Sequence, residues 1–259
     1  MIKLREYKKD SKQYKFYKTQ HETQNYDYVT NKIKKYSKLN NDKMTMKKAL
    51  LLMDNFIDPS DPDVDLPNSY HAYQTAERIR KKYPLDYELQ ITGLIHDLGK
   101  VLFQFGENST SVVGDTFVVG CAFPKSIVFS ETFNKNKDYN NTKYNTKNGI
   151  YKEKCGIDNL VLSFGHDEYL YIVLKNNKNH KLSEKYWNII RYHSFYPWHS
   201  SNSYSQFMIK KDEEIKKEVL LFNIFDLYSK EDTDFILTDD IINYYDKILD
   251  EYFPEELKW

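Results

Sequence analysis

Several residue types are scarce in this 259-residue chain, and each scarcity excludes a class of protein. Its 2 cysteines, Cys121 and Cys155, are too few for a disulfide framework in a chain of this length. Because they form no Cys-x-x-Cys pair, a thiolate zinc site is not expected either. Glycine is also rare, at 8 residues, and none belongs to a GxxxxGK phosphate loop.

Net charge and long apolar runs are absent as well. Lys+Arg and Asp+Glu number 38 each, so the formal net charge is zero. That balance argues against a general role on nucleic acid or on a membrane surface. The first residues, MIKLREYKKD, contain no apolar signal-peptide core, and no later run is long enough to span a bilayer. We expect a soluble, cytoplasmic protein, acting as a monomer.

Positive charge is concentrated at the start of the chain. Residues 1–44 are rich in lysine, and the acidic excess lies further on. One interpretation is a solvated surface; the other is an arm that places a cation near an anionic or polyhydroxy substrate. We therefore divide the chain into a basic N-terminal segment, 1–44, and a main domain, 45–259.

The periodicity of apolar residues is mainly helical. Thr45 is suited to cap one helix, and Asp86 to cap the clearest one, which we expect to run unbroken to Gly106. A Pro- and Asp-rich loop fills 58–70, irregular structure or a short hairpin fills 111–129, and 134–155 resembles a polar surface excursion. Helices are predicted at 45–57, 71–83, 86–105, 157–175, 183–193, 212–229 and 239–252. The expected fold is all-α, in a single domain with one irregular insert.

The histidines and aspartates suggest a pair of metal ions. Imidazole nitrogen and carboxylate oxygen are ligands for iron, manganese and zinc, and one carboxylate can bridge two ions. Lys100 follows His96 by one helical turn, which would place a cation beside the site. The candidate ligands, in chain order, are His71, His96, Asp97, His166, His193 and Asp226.

Each of these residues also has an ordinary structural explanation. A His-Asp doublet arises by chance, and a buried histidine is commonly a hydrogen-bonded core residue. Asp226 falls on the apolar side of its helix, where a carboxylate needs a metal or a partner such as Arg191. Asp167, next to His166, is a rival ligand. We expect His21 and His180 to be exposed and His199 to be structural.

Longer motifs make the chain recognisable. The segments DPSDPDVDLPNSYHAYQTAERIRK, LIHDLGKVLFQFGE, VVGDTFVVGC, SFGHDEYLY, RYHSFYPWH and FNIFDLYSK stand in the same order in the myo-inositol oxygenases. From about residue 45 onward the chain resembles this family, which belongs to the helical HD-domain superfamily. The resemblance implies that 45–259 is an HD-type catalytic domain, whose active site the basic segment 1–44 would cover. The resemblance implies an enzyme that opens the ring of myo-inositol with dioxygen, giving D-glucuronate and water.

The resemblance also implies a role for each site residue. His71, His96 and Asp226 would ligate one iron, His166 and His193 the other, and Asp97 would bridge a mixed-valent Fe(II)/Fe(III) pair. Asp97 and Lys100 would act in catalysis. The residues that would contact the substrate are Arg5, Asp58, Pro59, Ser60, Lys100, Gly114, Asp115, His193, Ser194 and Lys230.

Ring cleavage by dioxygen agrees with the ligand types. Side chains cannot carry the electrons that such an oxidation removes, so a redox metal must, and zinc has no redox chemistry. A dinuclear HD-type phosphohydrolase is the alternative, because it would use a related ligand order to activate water. A third hypothesis is a helical binding module whose histidines are ordinary core residues.

Overall fold

Most of the chain is helical, as the apolar periodicity predicts. This computed structural model describes residues 11–59, 67–229 and 235–259. In these ranges the α-helices are α1 (Lys12–Thr23), α2 (Tyr26–Tyr36), α3 (Met46–Met53), α4 (Asn68–Lys82), α5 (Tyr87–Ile95), α6 (His166–Asn176), α7 (Glu184–Tyr192), α8 (Tyr196–His199), α9 (Lys210–Ser229) and α10 (Asp239–Tyr252). The all-α fold class is confirmed, and the helices form a single domain.

Short 3₁₀ helices and one two-stranded sheet complete the described structure. The strands β1 (Lys43–Met44) and β2 (Leu257–Lys258) pair antiparallel. The 3₁₀ helices are Leu98–Phe105, Ser109–Ser111, Ser130–Lys135, Ile157–Asn159 and Ser205–Phe207. None of the helices in the described ranges combines the length and apolar character needed to cross a bilayer.

Side-chain caps begin several helices where the sequence predicts them. Thr45 accepts a hydrogen bond from the backbone N–H of Lys48 at the start of α3. Asp86 accepts one from Leu89 at the start of α5. Each satisfies a donor that the first helical turn leaves unpaired. Both predicted caps are confirmed.

The helix predicted over 86–105 is interrupted, contrary to expectation. α5 ends at Ile95, His96 and Asp97 form a turn, and a 3₁₀ helix follows from Leu98 to Phe105. The apolar stripe continues through the turn, which explains why the pattern suggested one helix. Gly106 ends the helical stretch with φ +81°, as predicted.

Two helices occupy the basic segment that the sequence left without structure. α1 packs on the 3₁₀ helix Ser130–Lys135, and α2 packs on α6. His21 on α1 is fully buried, stacked on Phe133 with centroids 3.9 Å apart, and its Nδ1 hydrogen-bonds Thr132. The prediction that His21 is exposed is wrong, because one face of a polar helix points inward.

His180 is the other histidine predicted to be exposed, and it is half-buried. Its ring lies between Trp187 and Phe253, with centroid distances of 5.4 and 5.3 Å. Its Nε2 donates to the carbonyl of Leu174. Packing of the loop between α6 and α7 against α10 covers this ring, and the local polar sequence gives no sign of it.

The segment 111–129 is irregular and forms no hairpin. Its regular pairing in the described structure is one isolated antiparallel bridge between Val118 and Leu162. The predicted surface excursion, 134–155, is mainly exposed, but it also supports α2, since Asp138 accepts a hydrogen bond from the backbone N–H of Tyr26. The predicted helix at 157–175 begins only at His166.

The helices that carry the candidate ligands surround the turn at His96 and Asp97. α4 packs on α5 and α9, and α7 packs on α5, α6 and α9. α6 also packs on the 3₁₀ helix Leu98–Phe105. Six side chains distant in sequence are thereby directed into one interior region.

Candidate metal centre

The His96-Asp97 doublet lies where α5 changes into the 3₁₀ helix. His96 keeps helical dihedral angles, whereas Asp97 has φ −91° and ψ −2°. This change of helix type points two neighbouring side chains into the same buried space, since both residues are buried. An eight-residue 3₁₀ helix is unusually long, and such stretches often mark functional sites.

The first group of possible ligands consists of His71, His96 and Asp226. They come from α4, the end of α5 and α9, and their ligand atoms lie within 4.8 Å of one another. Asp226 Oδ1 is 3.0 Å from His71 Nε2 and 3.4 Å from His96 Nε2. Arg191, a partner that the sequence allows for Asp226, is bound to Glu168 instead. The carboxylate of Asp226 faces His71 and His96.

The second group is centred on His166 and His193. His166 begins α6 and His193 directly follows α7, and their Nε2 atoms are 3.3 Å apart. Asp97 Oδ1 is 3.1 Å from His166 Nε2 and 3.8 Å from His193 Nε2. Its other oxygen, Oδ2, is 3.6 Å from His96 Nε2. Asp97 therefore faces both groups, one oxygen toward each, which is the arrangement that a bridging carboxylate requires.

Three of the imidazole rings are oriented in the same way. The Nδ1 atoms of His96, His166 and His193 each lie 2.8 Å from a backbone carbonyl oxygen. A carbonyl can only accept, so each Nδ1 carries the proton and each Nε2 is left to face the centre. Metal-bound histidines are held by such outer hydrogen bonds. The donor set therefore fits a pair of cations.

The charges within the cluster are strongly coupled. Burial alone would raise the pKa of Asp97, but Lys100 and the neighbouring histidines hold it well below its usual value. Burial alone would lower the pKa of His166, but Asp167 and Asp97 raise it to about 10. In the metal-free protein, the proton on His166 thus balances buried negative charge, a role that a metal ion could take over.

Lys100 is buried beside Asp97. Its Nζ lies 3.0 Å from Asp97 Oδ2 and 3.1 Å from Asp58 Oδ2. We expected Lys100 to share a face with His96, as in an α-helix. The 3₁₀ helix has three residues per turn, so Lys100 lies over Asp97 instead. Burial would lower its pKa, but the two carboxylates outweigh that effect and raise it.

Asp167 remains a rival ligand at the second group. Its ligand atom lies within 4.8 Å of those of His166 and His193. Asp167 Oδ1 is 2.9 Å from His166 Nε2, and Thr116 donates a hydrogen bond to Oδ2. Thr116 has no predicted role in the sequence, and its neighbour Asp115 is the only signal that would have drawn attention to it.

Gly99 lets two parts of the site touch. A Cβ atom built on Gly99 would lie 2.0 Å from the carbonyl oxygen of His166. No side chain fits in that space. Because residue 99 has no side chain, the 3₁₀ helix packs directly against the first turn of α6. This contact brings Asp97 close to His166.

The predicted substrate-contact residues that the structure describes lie in two places, one beside Lys100 and the other beside Ser194. Asp58 is tied to Lys100, and Pro59 next to it is half-buried. Gly114 and Asp115 lie in a loop whose neighbour, Thr116, donates its N–H to the carbonyl of Ser194. Arg5, Ser60 and Lys230 lie outside the described residues.

Helix α1 covers this loop. Tyr17 Oη donates to Asp115 Oδ1 at 2.9 Å, and Gln20 Nε2 donates to the carbonyl of Val113 at 2.9 Å. Gly114 has φ +97°, and a Cβ there would lie 2.7 Å from Gln20 and 2.8 Å from Phe16. Tyr17 has no predicted role in the sequence, because a tyrosine in a lysine-rich segment carries no distinguishing pattern.

The chain is similar to proteins of one family along nearly its whole length. Residues 10–259 match the family described as myo-inositol oxygenase. Inositol oxygenase 1 of Arabidopsis thaliana is 47% identical over 94% of this chain and 79% of its own length. The inositol oxygenases of Homo sapiens and Dictyostelium discoideum are each 45% identical, over 94% of this chain and 85% of theirs. This chain belongs to the myo-inositol oxygenase family.

Proposed function

We propose that this protein opens the ring of myo-inositol with dioxygen, giving D-glucuronate and water. The observation that carries the proposal is the convergence of six histidine and aspartate side chains in a chain of this family. The reaction balances without another reductant, because one dioxygen takes up four electrons and supplies the oxygen of the carboxylate and of the water.

The proposed centre holds two iron ions, in a mixed-valent Fe(II)/Fe(III) state. His71, His96 and Asp226 would hold the first ion and His166 and His193 the second. Asp97 would bridge them, which is supported by its two oxygens facing different groups. When bound, the iron pair would supply the redox capacity and the Lewis acidity that the side chains lack.

The chain's own residues would bind and orient the polyol. Lys100 is the buried cation nearest the proposed bridge, at 3.0 Å from Asp97. Its ammonium group would donate a hydrogen bond to a substrate hydroxyl oxygen and stabilise that oxygen as it loses its proton. Because Lys100 is also held by Asp58, its direction is fixed before substrate arrives.

Other polar groups would read the remaining hydroxyls of the ring. Asp58, Asp115 and Ser194 offer acceptors, and we include Arg5, Ser60 and Lys230 from the family resemblance, together with Pro59, Gly114 and His193 as pocket lining. A buried hydroxyl left unpaired costs about 1–3 kcal/mol. A cyclitol with one hydroxyl inverted would therefore bind more weakly.

The basic N-terminal segment would cover the substrate. α1 lies over the loop that contains Gly114 and Asp115, which supports this role for part of residues 1–44. Exclusion of water would strengthen every polar contact inside the site. A monomeric state and a cytoplasmic location complete the proposal.

The decisive experiment combines turnover with spectroscopy. Metal-free protein is loaded with iron and incubated with myo-inositol and oxygen, and glucuronate and oxygen uptake are measured. We expect one glucuronate formed and one dioxygen consumed for each myo-inositol. We also expect an EPR signal of a spin-coupled Fe(II)/Fe(III) pair that changes when inositol is added. A fully loaded sample that yields no glucuronate would refute the proposal.

The same preparation distinguishes the hydrolytic alternative. A phosphohydrolase would release phosphate from phosphoesters with manganese or magnesium and would need no oxygen. Phosphate release that persists under anaerobic conditions, without glucuronate formation in air, would support the phosphohydrolase hypothesis. A binding module would retain no stoichiometric metal.

A further inference from the structure

A buried ion pair connects the two helices that carry His166 and His193. Glu168 is in the first turn of α6 and Arg191 is in the last turn of α7. Arg191 Nε donates to Glu168 Oε2 at 2.7 Å, and Nη2 donates to Oε1 at 3.2 Å. Both side chains are at least nine-tenths buried. This bidentate geometry fixes both the distance between the two side chains and their relative orientation.

The pair lies two residues from each histidine. Glu168 follows His166 by two positions, and Arg191 precedes His193 by two. The ends of α6 and α7 that bear the two imidazoles are thus joined within about one helical turn of the Nε2 atoms, which are 3.3 Å apart. A change in the separation of these helix ends would be transmitted directly to the imidazoles.

Aromatic rings hold the guanidinium in place. Arg191 Cζ lies 4.4 Å from the centre of the Tyr171 ring and 5.3 Å from that of Tyr192. Its Nη1 donates to Tyr192 Oη at 3.1 Å. Arg191 is therefore fixed by α6, by its own helix and by Glu168, so that it behaves as a rigid spacer.

The Nδ1 hydrogen bonds of His166 and His193 do not fix the distance between the ends of α6 and α7. The Nδ1 bond of His193 is to Ile190, in its own helix, and fixes only how the ring is turned. The Nδ1 bond of His166 is to Val112, in the irregular segment. Neither joins α6 to α7, whereas the Glu168–Arg191 pair does.

A precise spacer matters more to metal binding than to stability. Ligands must be held to within about 0.5 Å of the productive geometry. A buried ion pair, by contrast, is often no more stabilising than apolar residues of similar size. The pair is thus better explained by precision than by its contribution to the free energy of unfolding.

We propose that Glu168 and Arg191 are positioning residues that set the separation of His166 and His193 and so determine the affinity of the second metal position. Neither residue belongs to the candidate ligand groups. This inference rests on the two-metal centre proposed above and extends it to two residues outside the ligand set.

The main test replaces both members of the pair by methionine, in the full-length protein. Glu168→Met/Arg191→Met removes one negative and one positive charge, so the net charge is unchanged, and unbranched methionine fills the space. Metal-free protein is titrated with Fe(II) under anaerobic conditions, and bound iron is counted. We expect one ion at wild-type affinity and a second bound at least tenfold more weakly.

Glu107→Gln is the matched control. Glu107 is also buried and ion-paired, to Lys32 and Lys35 on α2, away from the candidate ligands. Loss of that pair should leave two ions bound with wild-type affinity. EPR adds a readout independent of activity. After the Fe(II)-loaded samples are oxidised by one electron per site with an added chemical oxidant, the double variant should lack the spin-coupled Fe(II)/Fe(III) signal while the control shows it.

Each result of the iron titration either supports or overturns the positioning role of Glu168 and Arg191. Two ions bound at wild-type affinity by the folded double variant, or equal weakening of both ions, would overturn the inference. If the double variant does not fold, Arg191→Lys, which keeps the charge but loses the bidentate contact, is judged by the same criteria. Wild-type protein that binds fewer than two ions would instead refute the proposed centre itself.

Discussion

The Nε2 atoms of His166 and His193 lie 3.3 Å apart, although each ring has already committed its Nδ1 proton to a backbone carbonyl. Two neutral imidazoles would bring two lone pairs together at that distance. A cation between them, or a proton on one ring, removes the repulsion. The fold thus holds the two nitrogens in a geometry suited to a positive charge.

Asp97→Ala should lose both metal ions together. Asp97 Oδ1 faces His166 and Oδ2 faces His96, so the substitution removes a ligand from each proposed position. Because removal of an outer hydrogen-bond partner alone typically weakens metal binding about 10–100-fold, loss of this shared ligand should cost at least that much at both positions. Calorimetric titration of metal-free protein measures both affinities.

Asp226→Asn is the control for that experiment. Asp226 lies in the first group with His71 and His96, so this variant should weaken one ion and spare the other. Survival of one tight ion in Asp97→Ala would contradict the bridging role.

Lys100→Met should keep both ions but slow turnover. A hydrogen bond to a charged group contributes about 1.5–3 kcal/mol, so kcat/KM for myo-inositol should fall roughly 10- to 150-fold. Lys32→Met, which removes a lysine paired with Glu107 instead, is the control and should leave kcat/KM unchanged. Wild-type kinetics in Lys100→Met would remove its proposed role.

Gly99→Ala should disturb the second metal position. The new methyl group would lie 2.0 Å from the carbonyl oxygen of His166, so α6 must move away from the 3₁₀ helix. Overpacking of this kind typically costs about 1–3 kcal/mol of unfolding free energy. We expect a lower melting temperature and weaker binding of one ion. Gly106→Ala is the control. A Cβ there meets nothing within 4 Å but φ is +81°, so this variant should lower the melting temperature through backbone strain and leave both ions bound.

Tyr17→Phe should weaken substrate binding more than catalysis. It removes the hydroxyl that donates to Asp115, a residue proposed to read the polyol. We expect KM for myo-inositol to rise severalfold with little change in kcat, because the lost hydrogen bond contributes about 1 kcal/mol. Tyr14→Phe, on the same helix, serves as the control. An unchanged KM would separate α1 from the substrate site.

The metal-free protein should be most stable near pH 6.5. His166 has its pKa raised to about 10, so its stabilising effect is complete below pH 6.5 and is lost as pH rises toward 10. His21 and His199 have pKa values lowered to about 3 by burial, so the unfolded chain takes up more protons than the folded one as pH falls below 6.5. Stability therefore declines on both sides.

Urea unfolding at a series of pH values measures this profile. Metal-loaded protein should retain the acid decline and lose the alkaline one, because a bound ion replaces the proton on His166. An alkaline decline that is unaffected by metal would show that other groups cause it.

The sequence predicted the fold class and singled out histidines and aspartates that the structure brings together, because burial and residue type are local properties. It did not predict the interruption at His96 and Asp97, since the apolar stripe of an α-helix and of a 3₁₀ helix differ little over a few residues. It also missed α1 and α2, whose buried faces include polar residues such as Gln20 and His21.

Pairings between distant residues were the least predictable feature. The sequence allows Arg191 as a partner of Asp226, yet Arg191 binds Glu168, on a different helix. Any buried arginine has several acidic candidates in the sequence, and only the packing of α6 on α7 selects one.

The 3₁₀ helix from Leu98 to Phe105 makes the spacing of Asp97 and Lys100 depend on helix type. Three residues complete a full turn in this geometry but only about 300° in an α-helix. Relaxation of this segment to α-helical winding would rotate the Lys100 ammonium by about 60° away from the Asp97 carboxylate. A substitution many residues from the reacting atoms could thus switch the enzyme off by rewinding a single turn, with every ligand still present.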